Sequence, residues 1–210
     1  MKFTQQVHLS VFGYLALMSV LTIVGFKHMP KAFADSEFVN GVHYTTLDRP
    51  ASSNPEIKMF YTPFCKPCAI VHSPIQMMAE RAGVKFVDVP VNAGNLGKDI
   101  QESIITAQNQ GIDKKFVIGL LTNIHDRKGN DPRTREDLAQ LLEKCGGNAD
   151  EFRKGCEEIH KQAEELDQLV NEYYVSATPT IVINGNKQIA LHTLKSFSEL
   201  EQLLNHLLEV

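Results

Sequence analysis

The sequence predicts an α/β fold in which an early strand–helix–strand unit and a late β-hairpin share one sheet, with an all-helical block spliced between them. Three observations predict it. "EIKMFYT" (56–62) and "VKFVDVPVN" (84–92) are apolar runs of strand length on either side of a segment with helical spacing, the unit that builds parallel sheets. Residues 97 to about 172 then carry helical periodicity with almost no strand pattern. Finally, "PTIVINGNKQIA" (179–190) places Asn184-Gly185 between apolar runs, a strong hairpin signal.

The elements follow in chain order. Lys2 precedes an almost uninterrupted apolar stretch from Val11 to Phe26, and Ala32-Phe33-Ala34 has the small-x-small form of a signal peptidase site, with Asp35 as the new N-terminus. Residues 1–34 therefore read as a signal peptide. An uncleaved anchor is the alternative, because Lys27 and Lys31 are unusual company for a cleavage site and the apolar run is just short of a comfortable span. On either reading the bulk of the protein is exported. The formal charge of the whole chain is −4, and losing Lys2, Lys27 and Lys31 but no acid makes the remainder more acidic still. A basic nucleic-acid-binding surface is not expected.

"GVHYTT" (41–46) suits a short strand, and "LDRPASSNP" after it is punctuated as a connection. The strand at 56–62 runs straight into the first cysteine. After Phe64, the positions Ile70, Ile75, Met78 and Ala79 suit a helix ending near Gly83, with Pro67 tolerable in its first turn and Pro74 expected to kink it. In the helical block, Ile100, Ile104 and Ala107 form one stripe, Leu138, Leu141 and Leu142 another, and Ile159, Ala163, Leu166, Val170 and Tyr173 a third. "FVIGLL" (116–121) fits a strand or a buried helix equally well. A last amphipathic helix carries Phe197, Leu200, Leu203, Leu204 and Leu207. The expected organisation is residues 35–96 and 173–210 as the sheet domain, with 97–172 as the inserted helical domain.

Four cysteines in an exported protein make disulfides the first expectation. Cys65-Lys66-Pro67-Cys68 falls at a strand-to-helix junction, where backbone N–H groups and the positive end of the helix dipole favour a thiolate. Cys65, nearer solvent, is the expected nucleophile; Cys68, one turn in and more buried, is its partner. Lys66 adds a cation beside Cys65, and Pro67 stiffens the turn, so both tune the redox pair. Cys65, Cys68 and His72 would lie near one face of the helix start, but a structural zinc site wants four ligands and no second pair is evident, so neither metal nor cofactor is expected. Cys145 and Cys156 bracket "CGGNADEFRKGC" and read as a structural disulfide pinning two helices, with a second redox pair as the alternative. Thr178-Pro179, directly before the hairpin, suits a cis peptide bond that leaves neighbouring backbone groups free to pair with an extended peptide.

On these stretches the chain resembles the DsbA family of bacterial periplasmic thiol:disulfide oxidoreductases. The matching segments are "YTTLDRP", "FYTPFCKPC", "NLGKDI" and "SATPTIVINGN", spread in order from about residue 41 to 190. The resemblance implies a thioredoxin fold with an inserted helical domain, Cys65 as the attacking cysteine, Cys68 as its partner, and Thr178 with Pro179 as the loop that contacts substrate. It also implies a periplasmic location, reduced or unfolded exported proteins as substrates, and reoxidation by a DsbB-like quinone-linked membrane protein. No separate dimerisation segment is present, so a monomer is expected. Lys66-Pro67 stands where the family's oxidases carry Pro-His, Met59 stands where they carry an acid, and Thr178 is shared with isomerase relatives. Disulfide donation is the leading reading; an isomerase or reductase kept reduced, and a peptide-binding chaperone, remain as alternatives.

Overall fold

A computed structural model describes residues 38–126 and 131–209 of the chain. The expected signal peptide lies outside the described residues. Phe38–Val210 form one compact unit.

Five strands make a mixed sheet: β1 (Tyr44–Thr46), β2 (Glu56–Tyr61), β3 (Lys85–Pro90), β4 (Thr180–Ile183) and β5 (Lys187–Ile189), in the order β1-β5-β4-β2-β3. Only β2 and β3 run parallel, joined by helix α1 (Lys66–Ala82). β4 pairs antiparallel with β2 and β5, and β1 closes the other edge against β5. Side chains alternate across a strand, so β2 splits between two cores. Ile57, Met59 and Tyr61 join the main core on one face, while Phe60 packs with Val89, Tyr173 and Val182 on the other.

The hairpin is where the sequence placed it: Asn184 and Gly185 both take positive φ, 47° and 72°, which is what Asn-Gly tolerates at low cost. The first strand is shorter than expected. Residues 41–43 form a turn rather than strand, held by Gly41 N–H to Tyr44 O and His43 N–H to Val39 O, so only Tyr44–Thr46 pairs with β5. Helix α1 ends at Gly83 in the left-handed conformation, φ 68°, and Pro74 lies inside it without ending it.

Between β3 and β4 the described residues form five helices: α2 (Gly97–Asn109), α3 (Asp113–His125), α4 (Arg135–Lys144), α5 (Asp150–Lys154) and α6 (Glu157–Glu172). "FVIGLL" belongs to α3 and buries Phe116, Val117, Leu120 and Leu121; its length and its wholly apolar packing, not β pairing, decided the matter. Helix α2 is the hub, packed against α3, α4, α5, α6 and β3. Its first residue must be glycine-sized, since a Cβ on Gly97 would sit 2.5 Å from Asn92 Oδ1 and 2.9 Å from the Asn92 carbonyl carbon. Gln101 ties the block to the sheet by donating to Pro90 O at 3.0 Å and Asp167 Oδ1 at 2.8 Å. The helices share one core with the sheet, where Ile100, Phe116 and Leu138 meet Ile57, Met59 and Cys68. Helix α7 (Phe197–Leu208), capped by Ser196, closes the chain on α1 and β4. No helix among the described residues is long and apolar enough to cross a membrane.

Candidate active site

β2 delivers the chain to the top of the sheet, and the turn Thr62–Phe64 hands it to α1. Cys65 is the N-cap of that helix: its sulfur accepts the backbone N–H of Cys68 at 3.2 Å. Pro67 fits the first turn because an N–H there has no partner inside the helix. Cys65 and Cys68 form a disulfide. The two sulfurs differ in access, Cys65 being half-buried and Cys68 wholly buried, as their positions at and one turn inside the helix start dictate. An attacking thiolate therefore reaches Cys65. Any negative charge left on that sulfur faces a backbone N–H and the positive end of a 17-residue helix, with the exposed Lys66 beside it in sequence and no acid in the first turn.

The Thr178-Pro179 peptide is cis, and the Thr178 carbonyl oxygen lies 3.5 Å from Cys65 Sγ. The structure thus brings together residues 113 positions apart, all four of the expected exchange residues, at one end of the two neighbouring central strands β2 and β4. Two apolar concavities flank them. One, of about 800 Å³, is lined by Pro67, Val71, Pro179, Ile189, Leu194 and Phe197 among others. The second, of about 280 Å³, lies between α1 and α3 and includes Lys66, Ile70, Ile118 and His125. Phe64, Ile70, Ile118 and Phe197 are exposed; Phe197 lines the larger concavity, and Ile70 and Ile118 line the smaller. His125 Nε2 lies 2.8 Å from Pro63 O and fastens the end of α3 to the loop before Cys65.

The second cysteine pair is a correction. Cys145 and Cys156 are free thiols. Cys145 caps the C-terminus of α4 and turns into the main core, its Sγ 3.7 Å from Lys115 O on α3, and burial raises its thiol above the ordinary range. Cys156 caps α6 and packs against a separate cluster of Ile105, Ile159 and Ala163. Helix α5 lies between the two cysteines, which face different cores. The joining of these helices is done instead by a charge cluster: buried Glu102 takes Arg135 Nη1 at 2.6 Å and His160 Nδ1 at 2.5 Å, and Arg135 also reaches Asp99 at 2.5 Å.

Sequence reading missed one group. His72, taken from sequence for a packing residue or a third ligand, is buried with its Nε2 2.9 Å from Asp88 Oδ1, and Tyr61 donates its hydroxyl to Asp88 Oδ2 at 3.2 Å. Burial, with the Asp88 charge behind it, holds the Tyr61 phenol protonated well above its ordinary range. The signals were an acid alone in an apolar strand and a histidine four residues after Cys68. Only the β2–β3 register and the seating of α1 bring them together.

No family profile matches the chain. Curated relatives do: DsbA of Escherichia coli K12, named a thiol:disulfide interchange protein, is 22% identical over 163 residues, covering 73% of this chain and 77% of that protein. DsbA of Azotobacter vinelandii is 27% identical over 128 residues, 60% of this chain and 59% of the relative. Among solved structures, Pseudomonas aeruginosa DsbA superposes with a TM-score of 0.70 at 21% identity over 83% of this chain and 95% of its own. A Cys-to-Ser variant of Proteus DsbA, solved with the non-covalently bound peptide PWATCDS, gives 0.72 at 16% over 83% and 100%. The superpositions establish a thioredoxin fold with a helical insertion, and the sequence matches extend through the dithiol. In sequence, fold and the placement of its dithiol, this chain is similar to the DsbA thiol:disulfide interchange proteins.

Proposed function

We propose that this protein donates disulfides to newly exported proteins in the periplasm. The observation that carries the reading is the half-buried Cys65 sulfur, capped by a helix N-terminus, 3.5 Å from the Thr178 carbonyl and flanked by apolar concavities. A substrate thiolate attacks Cys65, the Cys65–Cys68 bond breaks, and its electron pair leaves on Cys68. A second substrate thiolate then attacks the substrate sulfur of the mixed disulfide, so the substrate is oxidised and the protein is left as the dithiol. An extended, unfolded chain suits this surface, since Thr178 and Pro179 offer backbone to it and the groove accepts its apolar side chains. The peptide bound to the Proteus relative supports the same substrate class here. Reoxidation falls to a DsbB-like quinone-linked membrane protein, and the protein acts as a monomer with 35–96 and 173–210 as its sheet domain and 97–172 as its helical domain.

The test is reactivation of a reduced, disulfide-dependent enzyme by stoichiometric oxidised protein. Recovery of activity with loss of the Cys65–Cys68 disulfide is expected. No recovery, together with a dithiol found reduced in cells, would turn the reading to a reductase or isomerase. Retention of unfolded-chain binding by Cys65→Ser without any exchange phenotype in cells would favour a chaperone.

A further inference from the structure

Cys68 is fully buried, and so is His72 one helical turn further along the same face of α1. Residues at this spacing are neighbours on a helix surface. His72 uses one ring nitrogen: Nε2 lies 2.9 Å from Asp88 Oδ1, and the ring is enclosed by Tyr61, at 4.7 Å between centroids, and by the edge of Phe86, at 5.6 Å. Its other nitrogen, Nδ1, is buried and meets no hydrogen-bond partner among the described residues. A buried polar atom without a partner is uncommon and calls for a reason. The carboxylate of Asp88 only accepts, so in a neutral imidazole the proton sits on Nε2 and Nδ1 presents a bare lone pair.

Exchange makes a demand that this lone pair answers. Cys68 has no water around it, and a buried thiolate is costly. Each turnover nonetheless passes through a Cys68 thiolate. We propose that His72, oriented by Asp88, takes and returns the proton of Cys68 during exchange, an assignment that rests on the disulfide-exchange reading above. When Cys65 carries a mixed disulfide, the Cys68 proton moves to His72 Nδ1 and the Cys68 thiolate attacks Cys65 Sγ. The Cys65–Cys68 bond forms, and the bond from Cys65 to the partner sulfur breaks with its electron pair leaving on the partner. In the donating direction a substrate thiolate attacks Cys65, Cys68 departs with the electron pair, and His72 in its imidazolium form gives its Nδ1 proton to the Cys68 thiolate, leaving the neutral ring with its proton on Nε2 toward Asp88.

The titratable groups against His72 are Tyr61 on β2 and Asp88 on β3, with Cys68 one turn earlier on its own helix. The other elements packed on α1 bring Lys114 (to Glu80) from α3 and Glu201 (to Arg81) from α7 to its C-terminal half, and His125 from the end of α3 to the loop before Cys65. Asp88 is a positioning residue here. It acts only through the imidazole.

The experiment reacts reduced protein with oxidised glutathione, quenches with acid, and follows two steps by mass: glutathionylation of Cys65, then its resolution by Cys68. In the native protein, resolution should vary little with pH across neutrality. In His72→Phe it should be at least about tenfold slower at pH 7 and should climb about tenfold per pH unit, because ionisation of the thiol alone then supplies the thiolate. Asp88→Asn, which can donate to Nε2 and so move the ring proton to Nδ1, should show the same climb. Glutathionylation of Cys65 should be unchanged in both. Loss of that first step in the native protein would sink the exchange reading itself, whereas native-like resolution and pH profile in the folded variants would overturn the assignment to His72 alone. Should neither variant fold, nitrogen NMR of the native His72 in its neutral form decides: an Nε2–H tautomer is expected, and an Nδ1–H tautomer overturns the proposal.

Discussion

The molecule holds two pairs of cysteines, and they behave as opposites. Cys65 and Cys68 are three positions apart and sit on one helix start, so the geometry that closes the disulfide also exposes one sulfur and buries the other. Cys145 and Cys156 cap two different helices and face different hydrophobic clusters, so neither finds the other. What distinguishes a redox site from spare thiols is therefore where the helix ends point, not the number of cysteines or the compartment. The bracing expected of the second pair is supplied by Glu102, Arg135 and His160.

The comparison can be broken most severely at the first pair. Cys65→Ser should abolish disulfide transfer, whereas Cys68→Ala should still be attacked through Cys65 once charged with a mixed disulfide and should accumulate such adducts; non-reducing gels with a reduced substrate distinguish the two. Equal behaviour of both variants would mean the sulfurs are not differentiated by burial.

Next in size is the cluster that joins the helices around the second pair. Glu102→Leu removes a buried carboxylate and leaves Arg135 and His160 without their shared partner, which should cost about 3 kcal/mol in urea unfolding. Joint replacement of Cys145 and Cys156 by Ala should cost less than this, and a larger loss would show that these thiols hold the helices after all.

A smaller effect is chemical. Burial raises the Cys145 thiol, so in the folded protein it stays protonated at pH values where an ordinary thiol has begun to ionise. Its alkylation by iodoacetamide at pH 8.5, about the ordinary thiol value, should lag behind that of Cys156 and quicken only at higher pH. In denaturant, oxidised protein should yield the two free thiols of Cys145 and Cys156; a count of zero would mean a bridge. The smallest effect is at the other end of α4, where Thr134 and Asp137 form a capping box. Thr134→Ala should cost about 1 kcal/mol. Backbone hydrogen bonds from Arg133 and Thr134 hold the Asp137 carboxyl below its usual value, so its contribution is present at neutral pH and is lost as pH falls through that lowered value.

These contrasts also measure what the sequence made legible. The strands at 56–61 and 85–90, the Asn184-Gly185 turn and the final helix could be read because strong local patterns agree with the tertiary structure there. Cys65, Cys68, Thr178 and Pro179 could be found because a short motif and a β-branched residue before proline are chemical signals in themselves. The Cys145–Cys156 pairing could not be judged, since the ten residues between them, with their Gly-Gly turn, say nothing of the direction in which each Cβ points. The Tyr61–His72–Asp88 group was hidden for a related reason. Its members lie on three elements, and only the parallel register that sets Met59 beside Asp88 brings the carboxylate under the helix.

The central claim is that the Cys65–Cys68 disulfide is built to be given away, and its equilibrium reduction potential against glutathione tests this most directly. Helix-end stabilisation of the Cys65 sulfur and the neighbouring Lys66 favour the reduced form, so the potential should lie above about −200 mV, between thioredoxin at about −270 mV and the strong oxidant DsbA at about −120 mV. A value near thioredoxin's, about 3 kcal/mol or more toward the disulfide at about 30 mV per 1.4 kcal/mol, would contradict the donor account and make the reduced protein an electron donor to its substrates.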